Sequence, residues 1–406
     1  MTLHCAGVTH ASTLTRSAVA EPAAQGRVHA TRVAAMATAL GLFLAVRLLG
    51  VATLALVARA TTGRDALGLL GRSWDSVWYL GIAAHGYGRI QHPRTGVMFS
   101  DMAFFPLYPA LVRALRAVSP LGGGASGLLL SWTAAAVAAC GIYAIGARLH
   151  GRAVAFALVL LWALLPHSVV LSMAYTEPLL TAFAAWSLYA VLAGRWLWAG
   201  SLAALAGLAR PNGFAVAAAV LAAAACEVWR CLRERRKVSH RLWTGAALAP
   251  AGWTAYILWV GHHEGDLLGG YFAVQRQWGS RFDFGRGSLQ FVKHLLLHGD
   301  RFVFPMTMVI VAAGVVLYAL LLADRAPLPL LVHSGVLLLI ALGGSGFFES
   351  KPRFLLPAFP LLLPLAQALV RTARARPWHA TVVVAALAGL SFVYGAYLVV
   401  IAQMPL

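Results

Sequence analysis

Of the 406 residues, 60% are hydrophobic and only 11% are charged. Ordinary soluble domains carry about 25% charged residues, so that class is excluded. The net charge of +19 comes from 32 basic residues, scattered over many short loops; this fits topology control and contact with anionic membrane lipids, and gives no continuous basic patch for nucleic acid. Several apolar runs are long enough to cross about 30 Å of hydrocarbon. The chain is expected to be an all-α polytopic membrane protein.

Residues 1–32 mix Arg and His with small residues, lack a compact apolar core before a cleavage site, and are expected to form a disordered cytoplasmic tail. The rest, 33–406, is expected to be one transmembrane domain. The first span covers about Val33–Ala58 and is followed by a long loop, about 59–124. Within it, Ala103–Val118 suggests a re-entrant or interfacial helix, broken near its start by Pro106 and Pro109. Further spans are expected near 125–147, 153–171, 174–193, 197–209, 213–229, 242–261, 302–323, 327–346, 354–370 and 380–402, with a second large loop at about 262–301. The 197–229 stretch can be one broken helix pair, so the expected number is 9 to 12.

The clusters Arg148/Arg152, Arg230–Arg241 and Arg371/Arg374/Arg376 fall on one side if the N-terminus is cytoplasmic, as the positive-inside rule requires. Nine acidic residues then lie outside: Asp65, Asp75, Asp101, Glu177, Glu264, Asp266, Asp283, Asp300 and Glu349. The extracytoplasmic face is therefore where chemistry is expected. With only Lys237, Lys293 and Lys351 as lysines amid abundant Ala and Gly, the composition suggests a GC-rich bacterial source.

Asp75 stands among Trp74, Trp78 and Tyr79, three residues after Arg72. It can cap a juxtamembrane helix, or take a proton from a hydroxyl that attacks a sugar. Glu177, in Tyr175-Thr176-Glu177-Pro178, fits a helix start or a substrate contact. Arg210, in Arg210-Pro211-Asn212-Gly213, must pair with something near the membrane. That partner can be Glu177, Asp75 or a bound phosphate, which suits the planar guanidinium fork. Gln275, Arg276, Lys351 and Arg353 either hold a lipid phosphate together with Arg210 or form a solvated rim. Arg47 lies inside the first span, with no partner evident in the sequence. His262, His263, Glu264 and Asp266 match no strong zinc spacing, and there is no phosphate loop or nucleophile elbow. No metal or cofactor is expected.

Trp74-Asp75-Ser76, Tyr79-Leu80-x-Ile82-Ala83-x-x-Gly86-Tyr87 and Phe104-Phe105-Pro106-Leu107-x-Pro109 resemble the GPI mannosyltransferase 2 (PIG-V) family and its bacterial relatives. Ser172-x-x-Tyr175-x-Glu177 and Ala209-Arg210-x-Asn212-Gly213 follow in the same order. The resemblance covers about residues 35–215 well and the remainder only in general character. Trp78 and Pro211 depart from the family pattern. The resemblance implies a GT-C-type bundle with an extracytoplasmic active site, and transfer with inversion from a polyprenyl-phosphate sugar, commonly mannose. Asp75 maps onto the loop-one aspartate taken as base, with Trp74 beside it. A bacterium makes no GPI anchor, so the acceptor is a glycolipid or cell-envelope glycan at the plasma membrane. The alternative is a transporter or flippase of lipid-linked sugars. Internal repeats with paired broken helices would favour it, but no convincing duplication is seen, and long polar loops favour an enzyme.

Overall fold

The computed structural model describes residues 22–94 and 97–404. The first helix, α1 (Pro22–Thr61), begins within the expected tail, whose residues 1–21 lie outside the described part. Its apolar stretch Val33–Thr61 is one of five helices among the described residues that are long and apolar enough to span a membrane.

The described residues of the long first loop form a series of short helices and a hairpin. Asp65 caps α2 (Ala66–Gly71) by accepting the Gly68 N–H at 2.7 Å. After it come α3 (Asp75–His85), the hairpin β1 (Ile90–Arg94) and β2 (Val97–Ser100), and α4 (Leu107–Val118). The hairpin pairs Ile90 with Ser100 and Gln91 with Phe99. Buried Asp101 accepts the N–H groups of Gly88 and Arg89, at 3.1 and 2.9 Å, and so fixes the chain entering the hairpin. Pro106 precedes α4 as its N-cap and Pro109 falls in its first turn, where a missing N–H costs no helical bond.

The central helices are α5 (Gly123–His150), α6 (Arg152–Ala163), α7 (Glu177–Leu192), α8 (Trp196–Ala209) and α9 (Phe214–Arg233). Small residues let their backbones approach closely, the usual device where lipid supplies no hydrophobic drive between helices. After them come α10 (His240–Leu248), α11 (Ala251–His263) and α12 (Gly270–Gln277). A Cβ at Gly200 of α8 would fall on the backbone of Gly245 of α10. The last third adds β3 (Arg281–Phe282), the largely exposed α13 (Arg286–His298), α14 (Val303–Ala323), α15 (Leu328–Gly343) and β4 (Gly344–Ser345). It ends with α16 (Lys351–Phe354), α17 (Leu363–Ala375) and α18 (Pro377–Ala396). The pairing of β3 with β4 ties the second large loop to the turn after α15.

Three expected spans are broken instead of continuous. The 153–171 stretch ends as helix at Ala163, before Pro166, and continues as the 3-10 turn Ser168–Ser172. The 242–261 stretch divides at Pro250. The 354–370 stretch becomes a pair bent by 77° among Pro357, Pro360 and Pro364. Proline removes a backbone donor and clashes with the preceding turn, which explains each break. Helices α6, α7, α8 and α15 are 12–16 residues long, short of the ~20 that a full crossing needs. The 197–229 stretch forms two helices, α8 and α9, with Arg210 between them.

Arg47 finds its partners on this broken framework. It donates to Ser168 Oγ at 2.6 Å, Ser172 Oγ at 2.9 Å and the Ala163 carbonyl at 3.2 Å. It thereby satisfies the end of α6 and holds the 3-10 turn that leads to Tyr175 and Glu177.

Candidate active site

Asp75 opens α3 immediately after Trp74, whose backbone sits at φ 49° and ψ −114°. A bulky residue at positive φ stores strain that the surroundings must hold, and such strain concentrates at functional sites. The strained turn aims Asp75 into a cavity of about 500 Å³. Its Oδ2 accepts from Arg353 Nη1 of α16 at 2.6 Å, and its backbone N–H donates to the Tyr175 hydroxyl at 3.4 Å. The Arg353 guanidinium lies 5.7 Å from the centre of the Tyr175 ring.

Behind Asp75 is a second carboxylate, Glu177, at the start of α7. Arg210 approaches it to 2.5 Å and Arg353 Nε to 3.7 Å. Arg210 also donates to Thr176 Oγ1 at 3.0 Å, which shares a 3.2 Å hydrogen bond with the Tyr79 hydroxyl. Burial pushes the Tyr79 hydroxyl up to about 12, so it remains a neutral hydrogen-bonding group at ordinary pH. Arg210 occupies the extended residue between α8 and the turn Pro211–Gly213. A Cβ at Gly213 would strike the Ala206 backbone, so glycine lets this turn fold back onto α8.

The second large loop closes the cavity from the other side. The Gln275 amide donates to the Ala103 carbonyl at 3.2 Å and to the Tyr271 hydroxyl at 2.8 Å, and Trp278 Nε1 donates to the Ser100 carbonyl at 3.0 Å. The Trp278 ring stacks on Phe99 at 4.3 Å and meets Trp78 edge-on at 5.1 Å. The result is an aromatic wall facing a charged one. Among the described residues the charged lining is Asp75 with Arg210, Arg281, Lys351 and Arg353. Four cations against one carboxylate suit an anionic ligand, and the aromatic faces suit a sugar ring.

The structure thus brings Trp74, Asp75, Arg210, Asn212, Gln275, Lys351 and Arg353 to one cavity. Glu177 lies behind the wall instead of lining it. Arg72 and Arg276 are exposed and do not line it. Arg72 ends α2 and lies over Gly124 of α5. Arg276 follows Gln275 on α12; successive helical residues diverge by about 100°, so when one faces in the next faces away. Tyr175, Tyr79, Trp278 and Arg281 belong to the cavity or its support and were not singled out as site residues from sequence. Tyr175 lay within the quoted Ser172–Glu177 motif, which was the available signal. Asp266 accepts its own loop's Gly269 N–H at 2.9 Å, and no cluster of three metal-ligating side chains occurs among the described residues.

Residues 61–244, which hold Asp75, Glu177 and Arg210, match the model of the mannosyltransferase (PIG-V) family. Through this region, a little under half of its length, the chain is similar to the PIG-V mannosyltransferase family. No match was found among the curated proteins. Similar solved structures include the Archaeoglobus fulgidus oligosaccharyltransferase with zinc and sulfate, at 13% identity and TM-score 0.47, covering 87% of this chain and 53% of that one. Another is the archaeal oligosaccharyltransferase AglB from the same organism with an inhibitory peptide and a dolichol-phosphate, at 14% identity and TM-score 0.44, covering 89% and 56%. The chain spans about half the length of these structures. The apolar helices describe a multi-pass membrane protein, and residues 61–244 resemble a family of glycosyltransferases.

Proposed function

We propose that this protein transfers a sugar, here taken as mannose, from a polyprenyl-phosphate donor to a glycolipid or cell-envelope glycan at the extracytoplasmic face of a bacterial plasma membrane. The observation that supports it best is Asp75 lining a cavity whose other charged lining groups, among the described residues, are all cationic. In this reading the acceptor hydroxyl attacks the anomeric carbon and gives its proton to Asp75. The bond from that carbon to the phosphate oxygen breaks with its electron pair, and polyprenyl phosphate leaves as the sugar configuration inverts.

The existing ion pairs suit this sequence. Arg353 is held by Asp75 at 2.6 Å and has Glu177 at 3.7 Å. A donor phosphate entering the cavity competes for Arg353 and frees the Asp75 carboxylate for the acceptor hydroxyl. Arg210 and Arg353 then face the charge that grows on the departing phosphate; preplaced donors of this kind act where charge develops. The proposal assigns charge neutralisation to these side chains and calls for no cofactor.

The test is transfer of labelled mannose from polyprenyl-phosphate mannose in membranes that carry the protein. Label moving into a lipid or polymer product supports the reading. No transfer from this or any other polyprenyl-phosphate sugar, with the protein intact, would overturn it in favour of lipid-linked sugar transport.

A further inference from the structure

Two neutral amides, Asn212 and Gln275, line the Asp75 cavity. Asn212 sits in the turn Pro211–Gly213 and is only 7% exposed. Its side-chain amide has no hydrogen-bond partner among the described residues. A buried amide left unpaired costs free energy, and a ligand in the cavity can supply the missing bonds. Gln275 is placed differently. Its nitrogen already gives both hydrogens, to the Ala103 carbonyl at 3.2 Å and the Tyr271 hydroxyl at 2.8 Å. A carbonyl only accepts, so the Ala103 contact fixes which end of the amide is nitrogen. What Gln275 has left for a ligand is its oxygen, Oε1, which has no protein partner among the described residues.

An acceptor oxygen repels a phosphate oxygen but takes a hydrogen bond from a hydroxyl. The elements that carry the two amides are packed together: Leu208 of α8 meets the apolar cluster that holds Tyr271 and Val274 of α12. We infer that Asn212 and Gln275 read hydroxyls of the transferred sugar, Gln275 as an acceptor and Asn212 as donor or acceptor. The aromatic wall with Trp278 then covers an apolar face of the ring, and the cations are left for the phosphate. The inference rests on the proposed donor class and names the groups that select its sugar. A site built to bond a hydroxyl rejects the analogue that lacks it, because its own buried polar group is then left unpaired.

The test is calorimetric binding to the purified, detergent-solubilised protein. The probes are mannosyl phosphate on a short-chain prenol, its monodeoxy analogues, and the prenyl phosphate without sugar. The wild type is expected to bind at least one deoxy analogue roughly tenfold more weakly than the full donor. In Asn212→Ala that penalty disappears at one hydroxyl position, the full donor weakens by a similar factor, and the sugar-free phosphate binds as before. Gln275→Met, of similar length, is expected to do the same at another position and carries the comparison if Asn212→Ala does not fold. Wild-type affinities that are flat across the deoxy series would overturn the inference. So would an equal loss of the sugar-free phosphate in Asn212→Ala, which puts the amide on the phosphate. A uniform loss across the series marks a structural role and overturns it too. Binding needs no sugar transfer, so the series is read even if turnover is absent. A wild type that binds neither the full donor nor the sugar-free phosphate overturns the donor class itself, a result distinct from a flat series.

Discussion

The two carboxylates of the site, Asp75 and Glu177, share an arginine and differ in what else they meet. The Asp75 side chain is 17% exposed and faces the cavity, whereas that of Glu177 is 1% exposed and is pressed against Arg210. Both read from sequence as acids near aromatic residues on one face. Depth separates their roles. A carboxylate that substrate can reach can exchange its arginine for a hydroxyl, while a buried one is fixed to its partner and carries structure. Arg353 joins the two, close enough to Glu177 to keep a counter-charge when Asp75 lets go.

The largest effect on stability is expected at the buried member. Glu177→Gln leaves Arg210 buried without its carboxylate, and breaking such a pair costs about 3–5 kcal/mol. A clear fall in the thermal unfolding midpoint, with loss of transfer, is expected; an unchanged midpoint would make Glu177 a second reactive carboxylate instead of a strut. Arg353→Gln removes the cation that both acids share. Loss of one preplaced donor typically costs about 10²–10³ in turnover, and that fall in kcat is the expected result for purified protein. Trp278→Ala removes one face of the aromatic wall, worth about 1 kcal/mol, and should raise KM several-fold with kcat nearly unchanged. Arg72→Ala and Arg276→Ala touch exposed side chains outside the cavity. They are expected to shift stability by no more than about 0.5 kcal/mol and to leave transfer unaltered. A strong defect in either would redraw the edge of the site.

Much of this arrangement was legible in the chain. Apolar runs located the helices, and charge asymmetry pointed to the loops that carry Asp75 and Lys351. Arg210 was legible because a cation between two apolar segments needs a partner, and Glu177 was among those named for it. The broken helices were less legible, since hydropathy runs smoothly through Pro166 and Pro250 while the backbone does not. Arg47 is the clearest case. Its charge was conspicuous within the first span, but its partners are serine hydroxyls and a carbonyl more than 110 residues away, and none of them carries charge to mark it. Arg276 differs in another way: its type suits phosphate, but the helical phase set by Gln275 leaves it exposed and outside the cavity lining. Trp278 takes its place in the site only through packing, with Phe99 and Trp78 against its ring.

The central claim is that Asp75 works and Glu177 supports. Its most direct test is the turnover of purified Asp75→Asn with polyprenyl-phosphate mannose, measured beside its thermal unfolding midpoint. The account predicts a kcat lower by roughly 10²–10⁴, the range for loss of a general base, with a midpoint close to wild type because Arg353 retains Glu177 nearby. Near-normal turnover in Asp75→Asn would contradict the assignment and return the search for the base to the other groups that line the cavity.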